Sequence, residues 1–170
     1  MSLASPALLA HRRQLVLADL LPGARMRDAA LVLGAAAFVG ISAQIAVSLP
    51  FTPVPLTMQP FAVLLAGATL GLRRGAAGMV LYVLAGIAGM PWFAQQHGGS
   101  AVVHAASFGY LLAYPFAAAL VGGLASRGGD RTVLRTTATM ALGSLVIYAF
   151  GLPWLMATLH AAWPAGSRWE

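Results

Sequence analysis

The chain alternates long uncharged apolar runs with short polar breaks, and the run lengths predict the elements. The first run, Ala29 to Leu49, holds 21 residues without a charge. At about 1.5 Å per residue it is roughly 30 Å long, the thickness of a bilayer's hydrocarbon core. The second runs from Thr57 to Leu72, with Pro60 in its first turn, where a missing N–H is tolerated, and Arg73-Arg74-Gly75 after it. The third spans Ala76 to Met90, the fourth Val103 to Ala125 and the fifth Thr132 to Leu159. Pro115 predicts a kink in the fourth, and Gly151 with Pro153 a break in the fifth. Between the first two runs, Pro50-Phe51-Thr52-Pro53-Val54-Pro55 predicts a stiff extended cap. Between the third and fourth lies a polar loop, Gln95-Gln96-His97-Gly98-Gly99-Ser100. The pattern is that of an all-α integral membrane protein, a bundle of five transmembrane helices.

Composition changes the picture only by excluding alternatives. Of 170 residues, 59% are apolar and 8% are charged, far from the balance of a soluble domain. A chain this short cannot bury so much apolar surface in its own core, so lipid is the solvent for the excess. There is no cysteine, hence no disulfide, thiolate metal site or cysteine nucleophile. No span carries Asp, Glu, Lys or Arg at its centre, which argues against a proton-driven transporter. No phosphate-binding loop is present, so any active transport draws its energy from a partner. Residues 1–27 are expected to be a cytoplasmic tail on the membrane surface and 28–170 the transmembrane domain. Arg12-Arg13 faintly resembles a signal sequence, but Asp19 and Pro22 interrupt the short apolar piece that follows.

Charge gives the bundle a direction. All ten basic residues are arginines, clustered between apolar runs without aromatic interleaving, a pattern of topology marking and not of nucleic-acid binding. With five spans, Arg12, Arg13, Arg25, Arg27, Arg73, Arg74, Arg127, Arg131 and Arg135 fall on one side and Arg168 on the other. The positive-inside rule then places the N-terminus in the cytoplasm of a multi-pass cell-membrane protein. The proline turn and the glutamine–glycine loop lie outside.

Two constellations are candidates for function. Ala36 and Gly40 in the first run, four residues apart, present small side chains on one helix face, suited to internal packing or to docking a membrane partner. On the outer side, Gln59, Trp92, Phe93, His97, His104, Ser107 and Tyr110 outline a pocket for a small, flat, partly polar molecule. Taken singly, Trp92 also suits an interfacial belt and the histidines suit ordinary loops. A serine hydrolase is not supported: Ser144 and His160 are sixteen residues apart, roughly 24 Å along one helix. Nor do His97, His104 and His160 have the spacing of a zinc site. No catalytic residue, metal or cofactor is expected.

Specific strings add a family. Ser42-Ala43-Gln44-Ile45, the stretch Leu49-Pro50-Phe51-Thr52-Pro53-Val54-Pro55-Leu56-Thr57-Met58-Gln59, and Leu70-Gly71-Leu72-Arg73-Arg74-Gly75 resemble the BioY family. So do Gly89-Met90-Pro91-Trp92-Phe93-Ala94, Phe108-Gly109-Tyr110-Leu111-Leu112 and Gly151-Leu152-Pro153-Trp154-Leu155. The resemblance covers about residues 30–158. It implies a bacterial substrate-binding S component of an energy-coupling-factor transporter. Such a component takes biotin from the outer side and docks on a transmembrane coupling protein that carries two ATPases. It implies a docking face at the positions of Ala36 and Gly40, although the family usually has alanine in place of Gly40. With biotin as the ligand, the shared outer location of Gln59, Trp92 and Tyr110 suggests that Gln59 hydrogen-bonds the ureido ring and that Trp92 and Tyr110 pack on the bicycle. Thr57, Phe93 and Ser107 complete the substrate-binding set.

Two departures qualify the resemblance. The family's sixth helix, with an aspartate and a lysine near the biotin carboxylate, has no match before Glu170, so the expectation is a fragment or a different binding mode. In the stretch His104-Ala105-Ala106-Ser107-Phe108-Gly109-Tyr110 the family commonly has proline-threonine-glycine-glycine-tyrosine. The alternative from another class is a structural or assembly protein of the membrane without a small ligand.

Overall fold

A computed structural model describes residues 23–50, 52, 54–129 and 131–162, with side chains up to His160. The expectations for residues 1–22 and for Arg168 lie outside the described residues. Helix α1 is Ala24–Gln44, α2 Gln59–Ile87, α3 Phe108–Leu124 and α4 Val133–Ala162. The expected boundary between tail and membrane domain at 27/28 therefore falls inside α1.

The second and third apolar runs are joined in α2, but α2 is not one rod. Gly71 sits at φ 79° and ψ 176°, a region essentially closed to residues with a Cβ. The arms on either side, 59–70 and 72–87, fold back on each other. A Cβ on Gly75 would stand 3.0 Å from the Cα of Gly67. The side-chain amide of Gln59 donates to the Tyr82 hydroxyl at 2.7 Å. On a straight helix those two residues would lie roughly 35 Å apart. Among the described residues four helices are long and apolar enough to cross a membrane; the hairpin in α2 makes them five arms.

Several boundaries differ from the sequence pattern. The first helix stops at Gln44, not Leu49, because the chain turns into a short antiparallel ribbon. Strand β1, Ala46–Val47, pairs with β2, Leu56–Thr57, with Ala46 opposite Thr57 and Val47 opposite Leu56. Pro50 has no N–H and would clash with the carbonyl four residues back, so helix cannot extend to it. The described residues of the expected proline cap thus lie between the two strands of this ribbon. The fourth run starts late as well. Ser100–His104 form a 3-10 turn and α3 begins only at Phe108. Pro115 and Pro153 lie inside helices that continue through them, so the expected break at Gly151–Pro153 does not interrupt α4.

The α2 hairpin and α3 form the centre, with α1 against α2 and α4 against α3. Met79, Tyr82, Val39, Val63, Val121 and Ile147 are fully buried there. Close approach uses residues without side chains. A Cβ on Gly67 would meet the Ala118 carbonyl oxygen at 2.6 Å, and one on Gly122 would meet the backbone at Gly71 at 2.5 Å. Large apolar side chains cover the outside, among them Ile41 (68% exposed), Leu145 (64%) and Leu84 (59%), as a lipid-facing surface requires.

The elements sort the charges. The start of α1, the bend of α2, the end of α3 and the start of α4 share one end of the bundle. All seven described arginines are there, and Arg74 pairs with Asp28 at 2.6 Å. The ribbon and the loop of residues 88–107 form the other end.

Candidate functional site

The end away from the arginines encloses a cavity of about 530 Å³. That volume is in the range of small-molecule sites. The ribbon supplies one wall with Thr52, Leu56 and Thr57, and the first turn of α2 adds Gln59 and Pro60. The loop after α2 contributes Phe93, Gln95, His97 and Ser107. Tyr110, Leu111 and Tyr114 of α3 and Ile147 and Tyr148 of α4 close the opposite side.

The ribbon fixes the polar wall. The Thr57 hydroxyl donates to Gln59 Oε1 at 3.0 Å, and the Gln59 backbone N–H donates back to that hydroxyl at 3.4 Å. Gln59 Nε2 donates to the Tyr82 hydroxyl, which in turn donates to the Trp92 carbonyl at 3.3 Å. Gln59 is only 4% exposed. A carboxamide has two N–H donors and two acceptor lone pairs on its oxygen. Thr57 and Tyr82 use one of each, so one donor and one acceptor remain for a molecule in the cavity, held in a fixed orientation.

Of the residues singled out in the sequence, Thr57, Gln59, Phe93, His97, Ser107 and Tyr110 line the cavity, and His104 does not. Trp92 is not among the lining residues. Its indole N–H donates to the Tyr82 carbonyl at 3.0 Å, and its ring lies against Gly40, 3.1 Å from where a Cβ would stand. Trp92 therefore braces the wall from behind. Phe93 is buried with its ring over Gly86, where a Cβ would collide with it, and meets Tyr82 edge-on at 5.2 Å. The Tyr110 ring rests on Gly151 and meets Tyr148 edge-on at 6.1 Å.

Ala36 and Gly40 are both buried by the chain's own helices, with Ala36 1% exposed and Gly40 under Trp92. Their spacing thus serves close packing of α1 on its neighbours, one of the two uses the sequence allowed. Ser144 and His160 do not line the cavity. Among the described residues no three His, Cys, Asp or Glu side chains gather as a metal site would need.

Sequence reasoning missed Tyr82, Tyr114, Tyr148 and the Gln95 contact. Tyr82 and Tyr114 lie inside apolar runs, and only the hairpin and the packing of α3 against α4 bring them to the site. Gln95 and Gln96 both have φ 59°, uncommon for residues with a Cβ. From that conformation Gln95 Nε2 donates to the Ser48 hydroxyl at 2.8 Å, tying the loop to the ribbon over the cavity. The Gln44 amide adds contacts to the carbonyls of Trp92 and Phe93 at 3.3 and 3.2 Å.

A family model for the BioY family matches residues 12–169, nearly the whole chain. The chain belongs to the BioY family. A relative from Pyrococcus horikoshii, a probable biotin transporter BioY, is 37% identical over 131 residues, 77% of this chain and 75% of that one. The biotin transporter BioY of Rhizobium etli is 36% identical over 137 residues, 76% of this chain and 73% of its own. The crystal structure of the S-component for biotin from an ECF-type ABC transporter superposes with a TM-score of 0.71 at 21% identity. It covers 82% of this BioY-family chain and 76% of the other, and the likeness establishes a shared membrane fold.

Proposed function

We propose that this chain is the substrate-binding membrane subunit of a biotin uptake system. It takes biotin from the outer side and relies on a partner ATPase module for energy. The observation that carries the reading is the cavity whose Gln59 amide is locked by Thr57 and Tyr82 at the end remote from every described arginine. A cyclic urea presents N–H donors beside a carbonyl acceptor, and an oriented carboxamide with one spare donor and one spare acceptor complements it. Tyr110 and Phe93 supply the aromatic walls for the bicycle, and Ser107 lines the cavity beside them.

The positive-inside rule orients the molecule, with the arginine end and the N-terminus in the bacterial cytoplasm and the cavity outside. No cofactor, metal or catalytic step enters this reading. A coupling protein in the membrane would meet α1 on its outward side, where Gly34 and Ala37 are exposed, since Ala36 and Gly40 are already covered.

Calorimetric titration of the detergent-purified chain tests the reading. It predicts saturable one-to-one binding of biotin, weakened in Gln59→Ala. The absence of heat with the unmutated chain would contradict it.

A further inference from the structure

One buried polar group in the cavity wall has no hydrogen-bond partner among the described residues. Tyr114 lines the cavity and is 3% exposed, yet none of the hydrogen bonds among the described residues reaches its hydroxyl. Tyr82, equally buried, has both Gln59 and the Trp92 carbonyl as partners. Buried phenols normally find a partner, because leaving the hydroxyl unpaired costs its lost hydration. The hydroxyl of Tyr114 is not sealed inside the protein, and the open space that Tyr114 lines is the cavity.

Position determines which ligand atom it meets. Tyr114 follows Ser107 by seven residues along α3, roughly 10 Å inward from the outer loop, and is one turn deeper than Tyr110. Tyr82, which holds the Gln59 amide, is its electrostatic neighbour. A ligand carboxylate placed that deep among neutral phenols would lose its hydration, so the charged end stays near the loops and the neutral ring enters first.

We infer that Tyr114 is a specificity-determining residue whose hydroxyl donates a hydrogen bond to the ureido carbonyl oxygen of the bound ligand. This rests on the reading that biotin is the ligand. The ureido oxygen has two lone pairs, so it accepts from Tyr114 and from the spare N–H of Gln59 together.

The test pairs the full chain and its Tyr114→Phe variant with two probes, biotin and 2-iminobiotin. At neutral pH the latter carries a guanidinium in place of the urea and offers no acceptor there. Loss of one hydroxyl contact predicts about 10-fold weaker biotin binding by Tyr114→Phe and no change toward 2-iminobiotin. The unmutated chain must itself bind 2-iminobiotin at least about 10-fold more weakly than biotin, a readout that needs no variant. Equal biotin affinity of the two proteins overturns the contact, as does an equal loss for both probes or equal binding of both probes by the unmutated chain. If the unmutated chain binds neither probe, the biotin reading itself fails, and this inference with it.

Discussion

The two ends of the bundle use polarity in opposite ways. At one end the polar groups are charged. Arginines surround the bend of α2 and the mouths of the other helices, and the Arg74–Asp28 pair is partly open to solvent. At the other end an uncharged hydrogen-bonded chain, Thr57–Gln59–Tyr82, with Gln59 and Tyr82 buried, backs one wall of a cavity. Charge in a membrane protein is expensive away from the interface, so it marks orientation there. Neutral amides and hydroxyls can be buried if partnered, so they can be held rigid enough to recognise a ligand.

If that division is right, mutations at the two ends should separate in their effects on ligand and on stability. The largest effect is expected for Gly86→Val. The added side chain would occupy the place of the Phe93 ring and push the cavity wall inward or open. Overpacking of about 1–3 kcal/mol is typical, and at a cavity wall it should weaken biotin binding by up to about 100-fold while lowering the thermal midpoint. Calorimetry and a melting curve on the same sample check both.

Gln59→Ala comes next. It removes the ligand-facing amide and leaves the buried Tyr82 and Thr57 hydroxyls short of a partner. A loss of about 2 kcal/mol, roughly 30-fold in affinity, is expected, and affinity within threefold of the unmutated chain would remove Gln59 from the site. A smaller effect is expected for Gln95→Ala, which frees the loop from Ser48. One neutral hydrogen bond is worth about 1 kcal/mol, so biotin should dissociate roughly fivefold faster in stopped-flow release. An unchanged release rate would mean that this contact does not hold the ligand in.

The smallest effect belongs to the arginine end. Arg74→Ala breaks a partly exposed ion pair, and such pairs contribute about 0–1 kcal/mol. Its biotin affinity should stay within about twofold of the unmutated chain. A loss as large as that of Gln59→Ala would erase the distinction between the two ends.

Much of this was legible in the sequence because lipid imposes simple rules. Run lengths gave five arms, and the arginines gave their alternation; even the hairpin was visible as Arg73-Arg74-Gly75 between two short runs. Six of the eight expected pocket residues line it, Trp92 and His104 being the exceptions. Direction was harder to read. A small-residue pair such as Ala36 and Gly40 has the same spacing whether it faces a partner or the chain's own Trp92. Trp92 sits beside Phe93 in the loop, yet one ring faces the cavity and the other braces α1. Tyr82 and Tyr114 were hidden for a different reason. An aromatic inside an apolar run reads as core until the fold-back of α2 shows which hydroxyl has a partner and which faces open space.

The most direct test of the central claim, that the neutral end alone receives the ligand, is amide hydrogen exchange of the intact chain with and without biotin. Binding at the neutral end predicts slower exchange in the ribbon and its loop, residues 46–57, and in residues 93–107, with no change around the bend at Gly71 or in residues 125–135. Protection at the arginine end, or none anywhere at saturating biotin, would contradict it.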